Sequence, residues 1–302
     1  MAVVDLRALS APDRASLRAL LERADAASDH PPLPEPQKLA VSQVAQAPDG
    51  ERVVLAREGT ELVGTALLSP ARNGSTVVHV VVDAAAPALG QMLLQRAVEE
   101  APRAAPIHYW VMQATASDDD RAAAEGFAPE RDLLQMRVAL PLPAEVAAAT
   151  RPLVTRAFVT GRDEELWVET NNRAFAGHPE QGAWTVAELQ ERMTADWVEV
   201  DDFLIADDPD GPGLIGACWT KVHRHRNPVL GEIYVIDVDP THHGQGWGRS
   251  LTVAGLTHLA ALGITVGMLY TDATNVAAVA LYRSLGFTID HIDRSYRRDP
   301  EG

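Results

Sequence analysis

Apolar and polar positions alternate along this chain in an order of elements that occurs twice. In "RVVLAREGTELVGTALLS" two strand-like runs flank a short polar turn, and "DFLIADDPDGPGLIGACWTKV" repeats strand, Gly/Pro-rich turn and strand. An apolar strand follows each pair, "STVVHVVVDA" and then "GEIYVIDVDP". After it come a helix-like run, another strand ("IHYWVMQ", then "VGMLYTDA") and a short helix closing on "AAAEGF" or "YRSLGF". Matching residues, Gly64 with Gly216 and Phe127 with Phe287, lie a whole domain apart, so the pattern is a duplicated domain and not a solenoid period. The class predicted is α/β, with α+β character and a mixed sheet in each half. The proline-rich "LPLPAEVAAATRPL" reads as the linker and divides the chain into residues 1–146 and 147–302.

Each half opens with helical material. In the second, the pattern predicts a helix from about Asp163, a polar loop through "GHPEQG", and a helix begun by Thr185 as a capping-box residue with Glu188 three positions on. Three glycines, Gly244, Gly246 and Gly248, then stand in "DPTHHGQGWGRSLT" between a strand ended by Pro240 and a helix whose apolar positions Leu251, Gly255, Leu259 and Leu262 fall at helical spacing. The first N–H groups of a helix lack internal partners, and with the helix dipole they make a cradle for a pyrophosphate. Glycine geometry alone accounts for many such turns, so the cluster needs its context.

Composition narrows the partners. The 302 residues suit two domains of roughly 150 each. A formal charge of −16 argues against nucleic acid, which needs a basic face. No apolar run approaches the roughly 20 residues that cross a bilayer, and the start "MAVVDLRALSAPDR" lacks the basic-then-apolar order of a secretion signal, so no membrane partner and a cytoplasmic location are expected. The single cysteine, Cys218, permits no internal disulfide and reads as a buried strand thiol. The lysines are Lys38 and Lys221 alone among abundant arginine, which leaves Lys221 equally open to a solvated strand-end role and a site role. His223 and His225 in "HRH" lack a third ligand at a fitting spacing and read as a solvated loop; no metal is expected.

"HHGQGWG" followed by "NVAAVALYRSLGF" resembles the acetyl-CoA site of the GCN5-related N-acetyltransferase superfamily. Its loop is Gln/Arg-x-x-Gly-x-Gly/Ala, and here His243 takes the first position. With "NRAFAGHPEQG", "WTKVH", "GEIYVIDVDP" and "LYTDATNVAAV", the chain is similar over nearly its whole length to tandem-domain members that acetylate the cysteinyl amine of cysteinyl-glucosaminyl-inositol. The resemblance implies acetyl-CoA as co-substrate and a small-molecule amine as partner; a monomer is expected.

The roles it implies fall on particular residues. An ammonium must lose its proton before it attacks a thioester, and a carboxylate at a strand start can take it. Glu232 stands there, an ordinary strand-end glutamate by sequence alone and the base by resemblance. Tyr282 is a core tyrosine by its helical spacing, and the acid that protonates the departing thiolate by resemblance. Ile236, Asp237 and Val238 would offer backbone N–H groups to the thioester oxygen. His243, Gly244, Gln245, Gly246, Trp247, Gly248 and Arg249 would hold the pyrophosphate, and Asn275, Val276, Ala277, Ala278, Val279 and Ala280 would line CoA. Glu180, Lys221, Tyr270 and Glu232 would contact the amine substrate, with Glu35 from the first half. That half has only Gly90 where the loop should be and no counterpart of Tyr282 in "AAAEGF", so it reads as a scaffold lobe, although Val80, Val81 and Val82 keep a strand able to pair with pantetheine. Another amine substrate, such as an aminoglycoside or a protein N-terminus, and an acetyl-CoA-binding regulator without turnover stay open.

Overall fold

The computed structural model describes residues 1–28, 30–42, 49–71, 73–176 and 182–300. In chain order the first half gives β1 (Ala2–Asp5), α1 (Ala11–Ala26), α2 (Glu35–Ser42), β2 (Arg52–Glu58), β3 (Glu61–Pro70), β4 (Thr76–Val82), α3 (Leu89–Glu100), β5 (Ile107–Val111), α4 (Ala116–Ala124) and β6 (Ala128–Ala139). The second gives α5 (Ala144–Ala148), β7 (Arg156–Ala157), α6 (Glu164–Ala174), α7 (Val186–Arg192), β8 (Phe203–Asp207), β9 (Leu214–His223), β10 (Leu230–Val238), α8 (Trp247–Ala261), β11 (Val266–Asp272), α9 (Val276–Ser284) and β12 (Thr288–Arg298). The twofold order of the sequence is therefore the order of the structure. Thr185 caps α7 in the expected box, its hydroxyl accepting from the Glu188 N–H.

Two compact units form, though not as two uninterrupted stretches. One holds Met1–Leu134, Asp272–Thr274 and the chain from His291; the other holds Gln135–Thr271 and Asn275–Asp290. The expected division after residue 146 does not coincide with this one, because the last strand of each half is long enough to divide. Gln135 to Ala139 of β6 belong to the second unit, where Leu140 donates its N–H to the Thr265 carbonyl. The end of β12 pairs antiparallel with β5 in the first unit, from Arg294 opposite Val111 to Arg298 opposite Ile107. Strand order is β1-β2-β3-β4-β5-β12 in the first unit and β6-β11-β10-β9-β8-β7 in the second. Such pairings are set by long-range packing, which the local pattern does not record.

In the first unit, Leu17 and Leu20 of α1 are buried one turn apart against Leu55, Leu62 and Leu67 of the sheet. The second unit is built on aromatic rings. Phe203 stacks on Trp219 at 4.5 Å between ring centroids, and Trp167 meets both edge-on. Burial of each such side chain stabilises the fold by about 2–3 kcal/mol. On the far side of the hairpin α8 lies tight against β9 and β10: a methyl group at Gly255 would come within 2.5 Å of Cys218 Sγ and 2.8 Å of Ile233 Cδ1. That seat fixes α8 relative to β10. Leu251 and Leu259 are buried as the helical spacing predicts, whereas Leu262 caps the helix and is exposed.

Candidate active site

The site grows from the end of β10. This strand pairs antiparallel with β9 along its length, and the register shifts between Ile233 and Val235, so Tyr234 is the extra residue of a bulge. Its parallel pairing with β11 runs from Leu230 opposite Val266 to Ile233 opposite Leu269 and stops there, although β10 continues to Val238. The strand edge beyond the bulge is thus released. Asp239 donates its N–H to the Ile215 carbonyl on the β9 side. Since backbone groups alternate along a strand, Ile236 and Val238 direct theirs to the opposite, opened edge. The irregularity lies two residues before the N–H groups that the sequence reading nominated.

Past β10 the chain turns through Pro240–His242, its Asp239 carboxylate accepting from the Thr241 N–H and hydroxyl. Arg173 of α6 donates to the same carboxylate at 2.7 Å. Burial works against ionisation of Asp239, yet these hydrogen bonds hold it down to about 2, so the turn stays anchored at neutral pH. Gly244 and Gly246 follow with φ of +73° and +88°, in the left-handed region that disfavours side chains. Gly246 is the N-cap of α8 and supplies no side chain to cap it, which leaves the first-turn N–H groups to an anionic guest. His243 contacts the Val238 carbonyl through Nε2 at 3.0 Å, so it braces the loop against the strand. Arg249 is committed to structure by its guanidinium, which donates to Ser284 Oγ at 2.8 Å and to Thr150 Oγ1. Arg151 covers the buried Trp247 ring at 3.6 Å. The loop residues His243 to Gly246 themselves are exposed.

Glu232 stands two residues before the bulge and is only 8 % exposed. The sequence reading of its neighbour needs correction. His223 is no solvated loop residue: its Nε2 lies 2.7 Å from Glu232 Oε2, while His225 is exposed as expected. Lys221, directly opposite Glu232 across the hairpin, rests its ammonium 4.3 Å from the Trp197 ring centroid and 5.3 Å from that of Tyr234. Arg192 of α7 donates to the Tyr234 hydroxyl at 2.7 Å. A carboxylate, an imidazole and an aromatic-lined ammonium therefore occupy one stretch of hairpin. His223, Trp197 and Tyr234 were not nominated, because their proximity depends on the register and the bulge.

Tyr282 lies on α9 and is 6 % exposed. Burial pushes its hydroxyl up to about 12, so it carries its proton throughout the neutral range. Asn275 caps the same helix by accepting from the Ala278 N–H, and Val276 beside it is 74 % exposed. Tyr270 of β11 accepts from the Gln135 side chain at 2.7 Å. Cys218 is fully buried and its thiol is pushed far above the usual range, as its strand position implied. Glu180 and the Glu35 side chain lie outside the described residues.

The Asp237 side chain turns away from the opened edge into the core, where its Oδ2 accepts from the Trp167 indole N–H at 2.9 Å. Burial pushes this carboxyl up to about 7. A group whose folded pKa is raised contributes stability that is complete below its unfolded value near 4 and is lost as pH rises toward 7. Asp237→Asn should keep an acceptor for Trp167 and flatten this loss, by an amount on the order of a few kcal/mol between pH 4 and 8. Urea unfolding of the two proteins at both pH values measures it; parallel pH profiles would contradict the assignment.

The first unit shares the early end of the parallel pairing, which stops at His79 opposite Trp110 while β4 runs on to Val82, but it lacks the bulge and the glycine turn. Its β3–β4 register runs unbroken from Gly64 opposite Val82 to Thr76 opposite Pro70, with no bulge before Val80, Val81 and Val82. The turn into α3 has Ala88 as its N-cap, at φ −64°, and Gly90 is buried against Arg121. Among the described residues, His30, His291 and Asp293 of this unit bring potential metal-ligand atoms within 4.8 Å of one another.

An opened strand edge, a left-handed glycine turn and a helix N-terminus in succession suit an acyl-CoA-dependent transferase. Residues 164–287 match the Acetyltransferase (GNAT) family. The mycothiol acetyltransferase of Thermobispora bispora is 38% identical over 95% of this chain and 96% of its own, and that of Kocuria rhizophila 39% over 93% and 94%. This chain belongs to the mycothiol acetyltransferase family. Solved structures agree on the fold. A tandem GNAT protein from the clavulanic acid biosynthesis pathway, 17% identical, matches with a TM-score of 0.70 over 100% of this chain and 99% of its own. A GCN5-related N-acetyltransferase from Sphaerobacter thermophilus, 22% identical, gives 0.70 over 97% and 95%. The tandem acetyltransferase architecture expected from the sequence is thereby borne out.

Proposed function

We propose that the chain transfers acetyl from acetyl-CoA to the cysteinyl amine of cysteinyl-glucosaminyl-inositol, giving mycothiol and CoA, with the chemistry in the second unit. The observation that carries this reading is the pairing of a shielded Glu232 with a released β10 edge and the glycine turn on one continuous stretch of chain. Family membership over nearly the full length supports the substrate.

In this reading Glu232 takes a proton from the substrate ammonium, directly or through water, and the freed amine attacks the thioester carbon. The N–H groups of Ile236 and Val238 stabilise the charge that develops on the thioester oxygen. As the C–S bond breaks, Tyr282 gives its proton to the leaving thiolate. First-turn N–H groups from Trp247 to Arg249 hold the pyrophosphate, with Asn275 to Ala280 along the CoA chain. Lys221 and Tyr270 contact the glycoside, joined by Glu35 and Glu180. The first unit serves as scaffold. In this reading the reaction uses no metal, nucleic acid or membrane and runs in the cytoplasm on a monomeric enzyme. No helix among the described residues is long and apolar enough to cross a membrane.

Release of CoA thiol from acetyl-CoA, followed with the cysteinyl glycoside, free cysteine and an aminoglycoside as competing acceptors, tests the substrate. The glycoside should give the highest kcat/KM by orders of magnitude; preference for the aminoglycoside would overturn the assignment. Tyr282→Phe should lower kcat about tenfold or more while the ring keeps its packing. Calorimetry should then find acetyl-CoA affinity within about twofold of the parent. Abolished binding would make the tyrosine a binding residue instead.

A further inference from the structure

We propose that His223 is the positioning residue for Glu232, holding its carboxylate by one oxygen so that the other is presented to the substrate amine. The inference rests on Glu232 being the base. Across the β9–β10 hairpin Lys221 faces Glu232 and His223 faces Leu230, which places His223 diagonal to Glu232 on the same face of the sheet. The 2.7 Å contact from Nε2 to Oε2 joins side chains that are 17% and 10% exposed, so little water competes for it.

The residue type suits the task. An imidazole N–H fixes one carboxylate oxygen through a single directional hydrogen bond and leaves the other oxygen free to accept a proton. A guanidinium at the same place would form a bidentate ion pair that favours the ionised form and occupies both oxygens. The ammonium of this face, Lys221, is packed against the Trp197 and Tyr234 rings. With the imidazole removed, the Glu232 carboxyl would sample rotamers in which neither oxygen faces the amine.

The test compares His223→Leu and His223→Gln, each alone and with Glu232→Gln, in steady-state turnover of the cysteinyl glycoside. Glutamine places an N–H donor near the position of Nε2, whereas leucine fills the volume without one. Leucine should lower kcat about 20-fold with both KM values within about threefold, and glutamine should restore kcat to within about threefold of the parent. In the Glu232→Gln background leucine should cost nothing further, since both changes remove one function. Unchanged acetyl-CoA affinity by calorimetry establishes that the leucine variant is folded. Parent-like kcat in the leucine variant, alongside a collapsed Glu232→Gln, would overturn the inference. Equal damage from glutamine and leucine, additive losses in the double variant, or a rise confined to the amine KM would do the same. Parent-like turnover in Glu232→Gln alone would instead bring down the assignment of the base, and this inference with it.

Discussion

Glu232→Gln lowers kcat on the cysteinyl glycoside by about 100-fold or more, the usual scale for loss of a general base. The substitution keeps the shape of the side chain and keeps an acceptor for His223 at the site of the 2.7 Å contact, so the hairpin should remain intact. What disappears is the proton acceptor, and the amine then depends on its own small deprotonated fraction. Raising the pH should therefore recover part of the lost rate. Acetyl-CoA affinity should be unaffected, because the glycine turn lies beyond the end of β10. A kcat within twofold of the parent from pH 6 to 9 would rule out Glu232 as the base.

Gly246→Val should weaken acetyl-CoA binding by about 100-fold or more, the cost of misdirecting two or more charge-assisted hydrogen bonds at about 1.5–3 kcal/mol each. Space is not the reason, since a Cβ at Gly246 would meet nothing within 4 Å. Its φ of +88° is the reason: a β-branched residue cannot hold that conformation at the N-cap, and relaxing it re-aims the N–H groups of the first turn of α8. Gly248→Ala is the control, with no positive φ and a methyl group at an ordinary 3.7 Å from Leu281 Cδ2. It should bind nearly as the parent does. Tight binding and turnover that survive Gly246→Val would move the working site to the first unit.

The local parts of this site were legible in the sequence and its joints were not. Glycine between a strand and an amphipathic helix announces a left-handed turn, and Thr185 with Glu188 announces a cap, because both effects act within a few residues. The Tyr234 bulge carries no such mark, since one added residue leaves "GEIYVIDVDP" as apolar as before. His223 and Glu232 meet only through the register of β9 on β10, and the connection from Arg224 to Val229 is not a tight two-residue turn that would have dictated it. The division of β6 and β12 between the two units was likewise hidden, because which strand a segment pairs with is set by long-range packing and not by its local pattern. For Asp237 only the backbone N–H was nominated; its side chain is buried against Trp167, a direction that an acidic residue in a strand does not reveal from sequence.

The most direct measurement is the mass and connectivity of the product formed from acetyl-CoA and cysteinyl-glucosaminyl-inositol. The parent enzyme should give one acetyl group on the cysteinyl nitrogen with the thiol still free to react with a maleimide, in step with CoA release and at least 100-fold slower with Glu232→Gln. An acetyl group on sulfur or on a sugar hydroxyl, or CoA release that does not depend on the glycoside, would contradict the account.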